Sequence, residues 1–201
     1  MSSFKVVSYF TPDYVSSVAR LQKSLDNLQI PHNLVAVPSF RNWLEGVRWK
    51  PHFLRSQLLE SKDGERPIIW LDADATVEKY PSLFDILADK CIDFACHFRN
   101  DKRYHNECLS GTLFINNTKG AMGVLDAWIA EQQKDADIWD QRSLQKALEL
   151  THSYSLYRLP PQYTQIFDTM AYAGEPVILH HQASRGKDKT AQAVNMVGNP
   201  Q

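Results

Sequence analysis

The chain has 201 residues, a formal net charge of −1, and 43% hydrophobic and 22% charged residues. That length suits one domain with a real core, the composition is ordinary for a globular protein, and the near-zero charge gives no global pull towards nucleic acid or membrane. Three cysteines, Cys91, Cys96 and Cys108, odd in number and without a CxxC spacing, argue against a disulfide framework. No apolar run approaches the ~18 residues of a membrane span. The opening MSSFKVVSYF lacks the charged leader and long apolar stretch of a signal peptide. The expectation is a cytoplasmic protein, residues 1–201 forming a single domain whose tail, about 185–201, is mobile.

Phe4–Phe10 reads as a first strand, and Thr11-Pro12-Asp13 as a helix start with Thr11 at the N-cap. Val15, Val18, Leu21, Leu25 and Leu28 then recur at helical spacing up to Pro31. Asn33–Val37 is a second short strand, Trp49–Leu59 a helix, and Asp63-Gly64 a turn. Ile68-Ile69-Trp70-Leu71 is an unbroken apolar run, the pattern of a strand buried on both faces in a parallel sheet. Residues 81–87 form a short helix, Ile92–His97 a strand, and Arg99–Glu107 a polar loop that carries Arg99 and Arg103. Leu109–Asn116 is a strand, followed by a helix through Glu131 and another over Trp139–Leu150. Tyr154–Leu159 and Pro176–His180 close the series as strands. Alternating strands and helices predict an α/β fold: a mixed, mostly parallel sheet flanked by helices. Trp70, Trp128 and Trp139 are expected in its core.

The apolar run ends in Asp72-Ala73-Asp74, and two carboxylates at a strand mouth need a compensating charge. A divalent cation is one answer. Carboxylates at i and i+2 present oxygens to a hard ion such as Mg²⁺ or Mn²⁺, which in turn neutralises a phosphate. His180, at the end of Val177-Ile178-Leu179, is the third ligand on this reading, with His181 the competitor. A second answer is nucleophilic chemistry. Asp72-Ala73-Asp74-Ala75-Thr76 also fits the first motif of haloacid-dehalogenase-type phosphatases, with Asp72 as nucleophile. That motif sits on a first core strand, whereas a whole βαβα segment precedes it here, and no later strand ends in paired aspartates. A third answer is a plain strand end in a non-catalytic binding module, with Asp74 as a cap.

Several segments in order resemble the GT-A fold nucleotide-sugar glycosyltransferases, in particular the small glycogenin/galactosyltransferase-like D-x-D group of bacterial and viral enzymes. These are VVSYFTPDYVSSVARLQKSL, RWKPHFLRSQLLE, IIWLDADATV, CLSGTLFINNT, WDQRSLQKAL, LPPQYTQIF and PVILHHQASRGKDK, spanning Val6 to about Lys187. Two features depart from the group: neither histidine has a glycine three residues on, and the chain is short.

The resemblance implies transfer of a hexosyl or pentosyl group from a nucleoside diphosphate sugar, a UDP-sugar in the first instance, to a hydroxyl, with Mn²⁺ or Mg²⁺ as cofactor. It implies Tyr9, Phe10 and Thr11 at the nucleobase, Lys50 reaching the donor, and Asp72, Asp74 and His180 on the metal. Asp72 also serves the ribose through water. Ser110, Gly111 and Thr112 line the sugar pocket, where glycine permits close backbone approach. Asp140 and Gln141 stand at the reacting centre, and Arg185 and Lys187 contact the diphosphate. A retaining outcome is favoured over an inverting one. The acceptor is either a glycan or a hydroxymethylated DNA base, the latter motivated by the basic, aromatic-containing loop Arg99–Tyr104 and the tail Arg185–Lys189.

Overall fold

A computed structural model describes residues 2–60, 66–102 and 104–186. The expected turn at Asp63-Gly64, Arg103 and Lys187 lie outside the described residues. In chain order the elements are β1 (Lys5–Phe10), α1 (Val15–Asn27), β2 (His32–Ala36), α2 (Trp43–Arg48), α3 (Lys50–Glu60), β3 (Ile68–Leu71), β4 (Ala75–Val77), α4 (Leu83–Asp89), β5 (Phe94–Arg99), β6 (Glu107–Ile115), α5 (Lys119–Lys134), α6 (Asp140–Leu150), β7 (Leu156–Arg158), β8 (Gln165–Ile166) and β9 (Ile178–His180). The strands from the sequence reading recur with shifted ends. Helix α2 was not expected, and neither was a second sheet.

The main sheet has the order β2-β1-β3-β6-β5-β7. β1 pairs parallel with both β2 and β3, and β5 parallel with β7, while β6 runs antiparallel between β3 and β5. Five of its six strands therefore share one direction. The expectation of a mixed, mostly parallel sheet flanked by helices holds. A small sheet, β4-β9-β8, stands beside it.

Both faces of the main sheet are covered, which is why β3 is apolar at every position. Successive side chains of a strand point to opposite faces. Ile68 and Trp70 accordingly join Phe53, Leu54, Val124, Leu125 and Trp128 of α3 and α5. Ile69 and Leu71 join Leu21 and Leu25 of α1, Phe84 and Leu87 of α4, and Val77 and Ile178 of the small sheet. Trp70 and Trp128 fill the core as expected, but Trp139 is 39% exposed. Arg99 also departs from its expected loop. It ends β5 and is buried, donating to Asp101 Oδ2 (2.6 Å) and the Thr169 carbonyl (3.1 Å).

Candidate metal and donor site

The carboxyl ends of β1 and β3 open on one side of the sheet, where ligands of α/β folds bind. Because β6 is antiparallel, its first half lies at that same end. Leu71 pairs with Thr112, and the Asp72 amide donates to the Gly111 carbonyl at 3.0 Å. The chain then turns, with the Ala75 amide donating to Asp72 O at 2.9 Å, and enters β4. There Ala75 is paired with His180 of β9. Three distant pieces of sequence thus converge. One ligand atom from each of Asp72, Asp74 and His180 lies within 4.8 Å of the others.

The surroundings orient these three groups. His180 is buried, and its Nε2 is 2.8 Å from the Thr112 hydroxyl, while Nδ1 faces Asp74 Oδ1 at 4.0 Å. Burial pushes the imidazole pKa down, only partly offset by Asp72 and Asp74, so the ring is neutral, as a metal ligand must be. Asp74 Oδ2 accepts from the Ala183 amide at 2.6 Å. Asp72 Oδ1 accepts from the Trp70 indole (2.9 Å) and from Lys50 (3.1 Å). Burial raises the Asp72 pKa, but the charge of Lys50 and the Trp70 N–H bring it below the ordinary carboxylate range.

Gly111 makes room for this cluster. A Cβ there would stand 2.9 Å from His180 Cε1 and 3.2 Å from Asp72 Oδ2. Two carboxylates and one neutral imidazole, held apart by a cradle that a methyl group would fill, fit a divalent cation of the Mg²⁺/Mn²⁺ class, with the nitrogen favouring Mn²⁺. His181, the alternative ligand, turns away and meets the Thr76 hydroxyl at 2.9 Å.

Lys50 sits beneath the aspartates. It is 3% exposed, and its ammonium donates to Asp140 (2.6 Å), Asp72 (3.1 Å) and the Ser110 carbonyl (3.3 Å). Burial works against its charge, yet Asp140 and Asp72 reverse that and raise the pKa above the usual lysine value. Ser110 Oγ also donates to Asp140, at 2.8 Å. Asp140 is the first residue of α6, and its carboxylate binds Lys50 and Ser110 rather than capping the helix.

These residues form the floor of a cleft of about 710 Å³. Tyr9, Phe10, Thr11, Lys50, Asp72, Asp74, Ser110, Gly111, Asp140, Gln141, His180 and Arg185 all line it. Thr112 lies behind the wall, holding His180. Tyr9 is partly committed to structure: its hydroxyl donates to the Gly46 carbonyl at 2.7 Å, and its ring packs on Trp49, Phe53 and Trp70. Arg185 is ion-paired with Asp168. The sequence reading missed Glu107, which accepts from Gln141 Nε2 at 3.0 Å, and the exposed indoles of Trp43 and Trp139, all three in the cleft wall. One local signal was available for α2. Asn42 stands three residues before Glu45, and its side chain caps the Glu45 amide at 2.8 Å.

No family model matches the sequence, and neither does any curated protein. Solved structures do match. A glycosyltransferase involved in glycosylation of the major capsid of PBCV-1 aligns with a TM-score of 0.71 at 11% identity, over 94% of this chain and 98% of that one. The glycosyltransferase GlyE of Streptococcus pneumoniae TIGR4 aligns with a TM-score of 0.59 at 15% identity, over 91% of this chain and 55% of that one. The bifunctional glycosyltransferase WbbM aligns with a TM-score of 0.56 at 10% identity, over 90% of this chain and 46% of that one. The chain thus spans nearly all of the first and about half of each of the other two. At such identities the likeness is one of fold, and the fold of this chain is that of glycosyltransferases.

Proposed function

We propose that this protein is a metal-dependent glycosyltransferase of the GT-A type, residues 1–201 acting as one domain. It moves a sugar from a nucleoside diphosphate sugar, a UDP-sugar in the first instance, to a hydroxyl acceptor. The observation that carries this reading is the convergence of Asp72, Asp74 and His180 around the Gly111 cradle, at the carboxyl end of the sheet, in a donor-sized cleft.

Asp72, Asp74 and His180 would hold Mn²⁺ or Mg²⁺, and the bound cation supplies positive charge to the leaving diphosphate. The chain's own residues do the rest. Tyr9, Phe10 and Thr11 form the nucleobase wall. Ser110 and Gly111 bring backbone close to the sugar. Lys50 neutralises Asp72 and Asp140 together, so the sheet mouth carries its carboxylates without mutual repulsion. Gln141, held by Glu107, faces the reacting sugar, and Asp140 acts through Lys50 and Ser110 as a positioning group. Arg185 and Lys187 approach the diphosphate, Arg185 exchanging Asp168 for phosphate. In the reaction the anomeric carbon–phosphate oxygen bond breaks and the acceptor oxygen–anomeric carbon bond forms. The acceptor proton passes to the departing diphosphate on the same face, which retains configuration.

The phosphatase reading is less supported. Asp72 Oδ1 is engaged by Lys50 and Trp70, and Asp72 follows the third strand in chain order, whereas that motif sits on a first core strand. Calorimetric titration of a nucleoside diphosphate sugar panel with Mn²⁺, and again with chelator, tests the proposal. Binding that needs the ion and is lost in Asp74→Ala is expected. Turnover of a generic phosphate ester, with no sugar nucleotide bound, would overturn it.

A further inference from the structure

Trp43 and Trp139 are 43% and 39% exposed, yet they belong to the residue type that brings most apolar surface to a core. They are not adjacent in sequence but meet edge-to-face in the cleft wall, ring centroids 6.4 Å apart and planes at 78°. The structure holds them there. Asn42 caps α2 immediately before Trp43. Arg48, at the other end of α2, donates to the carbonyls of Asp135 and Ala136 at 2.7 Å each, in the link that leads to Trp139. The Arg142 guanidinium lies 5.3 Å from the Trp139 ring. Trp139 is followed directly by Asp140 and Gln141, so its indole stands next to the polar groups of the cleft. Rigid, half-exposed aromatic faces beside hydrogen-bonding side chains suit a ligand with one apolar face and a polar edge.

The charge of the cleft narrows the ligand further. Among the described residues, the cations lining it are Lys50, Arg99 and Arg185, and each is paired with a carboxylate: Asp72 and Asp140, Asp101, and Asp168. Asp13, Asp72, Asp74, Glu107 and Asp140 also line it. A nucleic-acid strand needs a row of cations along its phosphates, and the described wall carries five carboxylates to three cations.

We propose that Trp139 and Trp43 form the acceptor subsite, and that the acceptor is an uncharged saccharide whose pyranose ring lays its C–H face on an indole. Its hydroxyls then reach Glu107 and Gln141. This rests on the glycosyltransferase reading but is tested separately from it.

The experiment is saturation-transfer NMR of neutral methyl glycosides and short neutral oligosaccharides with the full chain, in the presence of Mg²⁺, which is diamagnetic, and UDP. Wild type, Trp139→Ala, Trp139→Phe, Trp43→Ala and Tyr172→Ala are compared, Tyr172 being 60% exposed and outside the cleft. Transfer to one face of a pyranose is expected. Affinity should fall at least tenfold in Trp139→Ala and Trp43→Ala, less in Trp139→Phe, and not at all in Tyr172→Ala. UDP titrations run in parallel on each variant. Undiminished saccharide binding in both alanine variants, or no saccharide binding by a wild type that binds a sugar nucleotide, would overturn the proposal. So would an equal loss of UDP affinity, which would assign the indoles to the nucleobase, or a preference for single-stranded oligonucleotide over every saccharide. Saccharide binding through the indoles by a chain that binds no sugar nucleotide would instead overturn the transferase reading and leave this subsite standing.

Discussion

The proposed metal site depends on residues that would touch no ligand. Thr112 is fully buried, and its hydroxyl is bonded to His180 Nε2, which turns Nδ1 to the aspartates. Outer-shell partners of this kind are worth about 10- to 100-fold in metal affinity. Thr112→Val keeps the shape and removes the bond, so Mn²⁺ affinity should fall by about that factor while the fold survives; calorimetric titration of the ion reads it. An unchanged affinity would mean that His180 is held by its packing alone. His97 makes a separate prediction at this scale. Burial pushes its pKa down, Arg99 and Arg158 add to that, and its bond to the Leu159 carbonyl (2.8 Å) only partly compensates. The folded protein therefore binds a proton there less readily than the unfolded chain does. Stability contributed by neutral His97 is fully present above the unfolded value of about 6.5 and is lost as pH falls from there towards the folded pKa. Denaturant unfolding between pH 7.5 and 5 should show a decline that flattens in His97→Gln; a parallel decline in that variant would assign the effect to other groups.

Elements were legible in proportion to how local their causes are. The run Ile68–Leu71 and the carboxylates after it were readable because burial on two faces leaves a one-dimensional signature, His180 followed from its place at a strand end, and Lys50 came only from the resemblance carried by RWKPHFLRSQLLE. The antiparallel direction of β6 has no such signature, yet it decides that Gly111 rather than Asn116 stands beside Asp72. In the small sheet β9 was readable as a strand, but β4 and β8, of three and two residues, carry too little pattern, and β4 finds its partner a hundred positions away. Trp128 and Trp139 look alike in composition. Trp128 shares a helical stripe with Val124 and Leu125, whereas Trp139 precedes its helix and belongs to no stripe. Arg99 is buried by Thr169, a neighbour that sequence distance conceals. The start of α6, where Asp140 and Gln141 sit, is fixed from α5. Trp128 Nε1 donates to the Asp140 carbonyl (2.9 Å) and to Ser143 Oγ (3.0 Å). Trp128→Phe removes that donor and opens a small cavity, which should cost about 3 kcal/mol and lower the melting temperature by about 8 °C. A shift below about 2 °C would show that Ser143 alone, which also bonds the Asp140 carbonyl, secures the helix start.

For the whole molecule, the proposed metal ligands come from two sheets. Asp72 and Asp74 follow β3 of the main sheet, while His180 ends β9 of the small one, and the two sheets also meet through the Thr112–His180 bond and apolar contacts such as Ile69, Leu71, Val77 and Ile178. Asp74 Oδ1 and His180 Nδ1 are 4.0 Å apart, close enough for attraction but too far for a hydrogen bond. A bound ion therefore adds a tie between layers that the unfolded chain cannot make. A ligand present at a hundred times its dissociation constant stabilises by about 2.7 kcal/mol, equivalent to about 8 °C for a chain of this size. Thermal unfolding should shift upward by that order with Mn²⁺ and a nucleoside diphosphate together, and return to the starting value with chelator. The shift should vanish in Asp74→Ala and in His180→Ala, since each removes one side of the tie. If His180→Ala kept the full shift while Asp74→Ala lost it, the ion would be held by the main sheet alone. The small sheet would then be a wall of the cleft rather than part of its metal site.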